Sequence, residues 1–125
     1  MHELSYVMSL AKQAANAAEQ NHAAKVEAVS VSIGEMTGLV PEYMVRYWSS
    51  AVKNTVLDGS ELRVTLVPVE IRCAQCGDTY HPSAENEYLC PRCRTARGRL
   101  LHGREFMIDS ITVDDEEDPE SPEDP

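Results

Sequence analysis

The sequence predicts an α/β (α+β) fold in which two helices pack on a small three-stranded sheet and a cysteine-rich ribbon is inserted late in the chain. Three observations predict it. Two segments with apolar residues at spacings of three and four each precede a segment with alternating apolar residues, a third alternating segment follows near Val113, and two Cys-x-x-Cys pairs lie between the last two strands.

At 125 residues and 13.9 kDa the chain holds about one domain. That excludes a large multi-domain enzyme. Hydrophobic residues make up 42% and charged residues 26%, and no run approaches the roughly 18 apolar residues that span a bilayer. The formal charge of -10 is concentrated at one end: DDEEDPESPEDP, from Asp114 to Pro125, holds 8 acids and no base, leaving 13 acids against 11 bases elsewhere. Such a segment cannot bury enough apolar area to offset the entropy of ordering, so residues 114–125 are expected to form a disordered acidic tail.

The first element is a helix to about Gln20, with Leu4, Val7, Met8, Ala11, Ala14, Ala15 and Ala18 on one stripe. Val29, Val31 and Ile33 alternate with Ser30 and Ser32 in a half-buried strand, and Gly34 and Gly38 bracket its exit turn. Pro41 fits the first position of a second helix whose apolar face is Met44, Val45, Trp48, Ala51, Val52 and Val56, ending at Asp58-Gly59. Leu62, Val64 and Leu66 then mark a second strand. Val67, Val69 and Ile71 continue out of phase around Pro68, which predicts a bulge or an edge strand because proline donates no ladder hydrogen bond. In the third strand Phe106 and Ile108 slip against Ile111 and Val113 at Asp109-Ser110, a second candidate bulge.

The most specific signal is Cys73-Ala-Gln-Cys76, thirteen residues, then Cys90-Pro-Arg-Cys93. Each pair can supply two corners of a tetrahedron, and two such turns close a four-sulfur zinc site. Gly77 permits a positive φ after the first pair, and Pro91 stiffens the second. Four sulfurs leave no corner for an activated water, so the expected Zn(II) is structural. An iron centre and a redox dithiol are the competing readings of the same cysteines. The expected domains are 1–72 with 102–113, an inserted zinc-ribbon domain at 73–101, and the tail. The insertion has few apolar side chains, chiefly Tyr80, Tyr88, Leu89, Leu100 and Leu101, so metal binding should supply most of its folding free energy.

Arg92, Arg94, Arg97, Arg99 and Arg104 crowd the second pair. They suit compensation of thiolate charge, a protein-docking face, or phosphate contacts; the lack of interleaved aromatic residues argues against nucleic acid.

Met1-His2-Glu3 is the second functional signal. A free α-amine of pKa about 8, an imidazole and intervening amides form a nitrogen-rich set suited to square-planar Ni²⁺ or Cu²⁺. The first N–H groups of a helix have no intrahelical acceptor and are available for deprotonation. Taken alone, His2 reads more readily as a solvated terminal residue than as a ligand, and Glu3 reads equally as an acid favoured by the helix dipole. His22, His81 and His102 are secondary candidates.

The opening MHELS, the segment VSVSIGEMTGL, the paired cysteines after a strand, and the closing GREFMIDSITV together resemble the HypA/HybF family of hydrogenase maturation factors, over residues 1 to about 113. The resemblance implies a nickel metallochaperone with a nickel-binding α/β domain and a structural zinc domain. It implies that Ni(II) is cargo held by the Met1 amine, His2 and the His2 and Glu3 backbone, with Glu3 supporting binding or transfer. It also implies delivery to the [NiFe]-hydrogenase large subunit precursor with a HypB-type GTPase, and in some relatives service to urease. A homodimer is compatible with it. The acidic tail departs from the family pattern.

No phosphate-binding glycine loop or open-site metal triad is present, so no enzyme is expected. The start lacks the charged and apolar regions of a signal peptide, which predicts a cytoplasmic protein with no membrane association. The alternative function is a zinc-ribbon adaptor for nucleic acid or a protein partner.

Overall fold

A computed structural model describes the backbone of residues 2–113 and the side chains of residues 3–113. The acidic tail expected at 114–125 lies outside the described residues. The chain forms two compact units, one through Val31 with Leu39–Thr65 and the chain from Met107, the other Ser32–Gly38 with Leu66–Phe106.

In the first unit, helix α1 (His2–Gln20) packs on helix α2 (Pro41–Ala51). The buried stripe of α1 is Val7, Leu10, Ala11, Ala14 and Ala18, headed by Glu3. Spacings of three and four place these residues one above another, and burial of each larger side chain is worth roughly 1.5–3 kcal/mol. Leu4 and Met8 were expected on this stripe but are exposed, and Leu10 takes their place. Both sets satisfy helical periodicity, and packing selects between them. The helix ends in a left-handed cap: His22 has φ 56°, its N–H donates to Glu19 O, and the Ala23 N–H donates to Ala18 O.

Pro41 starts α2 with Val40 as the residue before it. Met44, Trp48 and, beyond the helix, Val52 and Leu57 are buried. The Trp48 indole donates to Ser60 Oγ at 2.9 Å, satisfying the one polar group of that ring. Helical structure stops at Ala51, earlier than expected. Val45 is exposed, and residues 52–59 form turns that include Asn54 at φ 65°.

Strand β1 (Val26–Gly34) is central in a sheet of order β2-β1-β6, with β2 at Glu61–Val67 and β6 at Phe106–Val113. Its valines and Ile33 are buried, while Ser30 and Ser32 are half-buried. This is the expected three-stranded sheet.

The phase slip at Pro68 is a change of sheet. After Pro68 the chain enters β3 (Glu70–Cys73), central in a second antiparallel sheet of order β4-β3-β5, with β4 at Thr79–Tyr80 and β5 at Gly98–His102. The edge position expected there is held by β2. Proline's missing donor explains why β2 ends beside it. Across β6, Ile108 and Ile111 are both half-buried and Asp109 and Ser110 exposed, so the slip read in the sequence is a real change of burial phase.

The second unit also holds a one-turn 3-10 helix, Glu35–Thr37, where backbones cross closely. Gly34 N–H donates to Glu105 O at 2.7 Å and Met36 N–H to Gly103 O at 2.8 Å. The Glu35 carboxylate accepts from Val69 N–H at 2.8 Å and lies 3.0 Å from His81 Nε2. No helix among the described residues is long and apolar enough to cross a membrane.

Candidate metal centres

The two Cys-x-x-Cys segments fold into the same turn. The amide four residues after each leading cysteine donates to that cysteine's carbonyl, Gly77 to Cys73 at 3.0 Å and Arg94 to Cys90 at 2.7 Å. Each leading cysteine's own N–H then donates five residues on, Cys73 to Asp78 O and Cys90 to Thr95 O. Both turns need a left-handed residue at the fourth step. Gly77 at φ 80° adopts it freely, whereas Arg94 at φ 60° does so against the usual steric cost of about 1–2 kcal/mol. Backbone N–H groups also point at sulfur, Gln75 to Cys73 Sγ and Cys93 to Cys90 Sγ, each at 3.4 Å.

All four sulfurs lie within 4.8 Å of one another, and Cys76 Sγ is 3.7 Å from Cys90 Sγ. A tetrahedron with metal–sulfur bonds of about 2.3 Å has sulfurs about 3.8 Å apart. The donor set therefore fits zinc in size as well as chemistry. The cysteines are free thiols drawn from both pairs into one cluster, so the structure has neither disulfides nor two separate dithiols. Their electrostatics point the same way. The Cys76 amide and then the Gln75 amide, against the cost of burial, draw the Cys73 thiol down to about 7. Hydrogen bonding with Cys76, followed by burial, pushes Cys93 up to about 12. Four thiolates cannot coexist here without a cation, and a divalent metal removes that conflict.

Cys73 and Cys90 are buried with Tyr80, and Ile71, Cys76 and Cys93 pack against them. Tyr88, expected among the apolar residues of the insertion, is instead 63% exposed. The arginines divide. Arg92 pairs with Asp78 and Arg94 with Glu87, both at 3.2 Å. Asp78 first, and then the Cys76 and Cys93 sulfurs, raise the Arg92 pKa, so this guanidinium is placed to compensate thiolate charge.

At the other candidate site, Met1 and the His2 side chain lie outside the described residues, and α1 begins at His2. Glu3 is only 5% exposed. Its carboxylate accepts the Val40 N–H at 3.2 Å, and its own amide first, then that of Val40, hold its pKa below the ordinary 4.5. This ties the first turn of α1 to the N-cap residue of α2. It is the role a capping-box glutamate plays within one helix, performed here between two. Spacing in the sequence could not reveal it, because the partner is 37 residues away.

The secondary histidines are accounted for separately. His22 caps α1, His81 pairs with Glu35, and His102 Nδ1 pairs with Glu105 at 3.0 Å. Among the described residues the four cysteines are the one group of three or more His, Cys, Asp or Glu arranged to hold a metal.

Comparison with known proteins agrees with this geometry. The family model described as hydrogenase/urease nickel incorporation, metallochaperone, hypA matches residues 1–113. Hydrogenase maturation factor HypA of Dehalococcoides mccartyi is 35% identical over 116 residues, covering 93% of this chain and 97% of the relative. The HypA of Caldanaerobacter subterraneus subsp. tengcongensis is 37% identical over 116 residues, covering 91% and 100%. The solution structure of the Ni metallochaperone HypA from Helicobacter pylori matches with TM-score 0.63 at 26% identity, over 89% of this chain and 96% of that one. A second HypA solution structure matches with TM-score 0.67 at 27% identity, over 90% and 96%. The chain belongs to the HypA family, the nickel metallochaperones of hydrogenase and urease maturation.

Proposed function

We propose that this protein holds Ni²⁺ as cargo at the start of its chain and delivers it to the precursor of the [NiFe]-hydrogenase large subunit, while Zn²⁺ on Cys73, Cys76, Cys90 and Cys93 organises the second unit. The observation that carries the proposal is the closed sulfur cluster. A tetrahedron with four protein ligands offers no place for a transferable ion, so the cargo belongs to a different donor set. The Met1 amine, the His2 imidazole and the His2 and Glu3 amides supply four nitrogens, the square-planar preference of Ni²⁺. Such a site contains one side-chain ligand and can be dismantled by an acceptor. The Glu3 carboxylate supports it by fixing the first turn of α1 against Val40.

Family membership supports a HypB-type GTPase as partner in delivery, the cytoplasm as the place, and a role without catalysis of its own. Extending the chain by Gly-Ser before Met1 tests the ligand set. The extension should weaken Ni²⁺ binding in equilibrium dialysis at least tenfold and abolish the square-planar absorption band, with zinc content unchanged. Equal affinity and an equal spectrum would refute the terminal site.

A further inference from the structure

In the second sheet, Arg72 of β3 stands directly opposite Arg99 of β5, with Thr79 of β4 on its other side. Residues paired across an antiparallel ladder share a face, and two like charges so placed repel. All three side chains are exposed. Just past the end of that ladder the Ala74 N–H donates to Arg97 O at 3.0 Å, and Arg97 borders a cleft of about 240 Å³ with Ala74 and Gln75. Arg97 immediately precedes β5, two residues before Arg99, and is exposed like it. Arg92 and Arg94 have Asp78 and Glu87 as counter-charges, but no carboxylate pairs with Arg72, Arg97 or Arg99 among the described residues. The opposite face takes the apolar set: Ile71 is registered with Tyr80 and Leu100.

We propose that the face bearing Arg72, Arg97 and Arg99 is a docking surface for an acidic, extended segment of a partner protein. Positions two apart on a strand are about 6.5–7 Å apart, so acids at alternate positions of an extended segment match Arg97 and Arg99, and Arg72 lies across from the latter. Nucleic acid fits less well. Three guanidinium groups engage only about three phosphates, the face offers no aromatic ring for stacking, and the whole chain carries a formal charge of -10 that repels a long polyanion. A short acidic segment carries fewer charges than a long polyanion and meets less of that repulsion.

The test is fluorescence anisotropy of full-length, zinc-loaded protein with a labelled Ser-Glu repeat peptide, its Ser-Gln counterpart and a single-stranded RNA of equal length. Wild type should bind the Glu peptide in a salt-sensitive manner and ignore the Gln peptide. Arg72→Ser/Arg97→Ser/Arg99→Ser should weaken binding at least tenfold with zinc content retained. Arg99→Glu should also lose binding while raising the thermal midpoint, because it replaces a repulsive cross-strand pair with an attractive one. No binding by wild type, or undiminished binding by the folded triple variant, would overturn the proposal. Tighter binding of the RNA would assign the face to nucleic acid, and peptide binding seen only after deletion of residues 114–125 would assign it to the chain's own acidic segment; either overturns it.

Discussion

Replacing Gly34 with alanine should be among the most damaging single-methyl changes in this protein. Its φ of -76° is ordinary, so backbone freedom is not the reason for glycine there. The reason is space: an added Cβ would meet Gly103 O at 2.1 Å, Gly103 C at 2.2 Å and Arg104 N at 2.5 Å. Favourable carbon contacts need about 3.5–4.0 Å, so one backbone segment must move by more than about 1 Å. Overpacking costs about 1–3 kcal/mol. The same movement disturbs two bonds, Gly34 N–H to Glu105 O and Met36 N–H to Gly103 O, each worth about 1 kcal/mol net. The total is about 3–5 kcal/mol, a large share of a typical domain's stability. Gly38→Ala is the control: φ is 75° but nothing lies within 4 Å of the new atom, so only the left-handed strain of about 1 kcal/mol remains. Urea unfolding of both zinc-loaded variants, with exchange of the Met36 amide, reads the difference. If Gly34→Ala costs no more than Gly38→Ala, close backbone approach is not what glycine serves at that crossing.

Three further outcomes are expected. His22→Gly should raise stability by about 0.5–1 kcal/mol in thermal unfolding, because His22 caps α1 at φ 56°; a loss would show that its side chain matters more than its backbone strain. The Val69 amide and then His81 hold Glu35 below 4.5, and the Gly103 amide and then His102 do so for Glu105. Depressed folded values contribute stability present above about pH 4.5 and lost as pH falls through them, so unfolding free energy should drop on the acid side and Glu35→Gln should flatten that drop; an unchanged slope contradicts this. Removing metal with a chelator, or Cys90→Ser, should abolish amide protection across β3, β4 and β5 while α1 and α2 keep theirs, because the core beneath those strands consists of Cys73, Tyr80 and Cys90; retained protection there would show that metal is not needed for folding.

Much of the architecture is legible from periodicity and punctuation. Alternation in β1, Pro41 at the start of α2 and the cysteine spacing each encode a local rule that the fold obeys. Legibility fails where the deciding partner is distant. Leu10 displaces Leu4 and Met8 because α1 can present two plausible stripes, and contact with the rest of the first unit chooses between them. Pro68 signals a break, but whether a break is a bulge or a change of sheet depends on which strands lie beside it. The Arg94 conformation is visible only by analogy with Gly77 once both turns are superimposed. The bonds of Glu3 to Val40 and of Glu35 to Val69 span more than 30 residues and leave no mark in any window of sequence.

Nickel and zinc are expected to occupy separate sites, with nickel at the chain start. Calorimetric titration of untagged, zinc-loaded protein with Ni²⁺, beside His2→Ala, tests it most directly when zinc content is assayed before and after. One tight Ni²⁺ per wild-type chain, loss of that binding in His2→Ala, and full zinc retention in both are expected. Equal nickel binding by the two proteins, or nickel uptake accompanied by release of zinc, would contradict it.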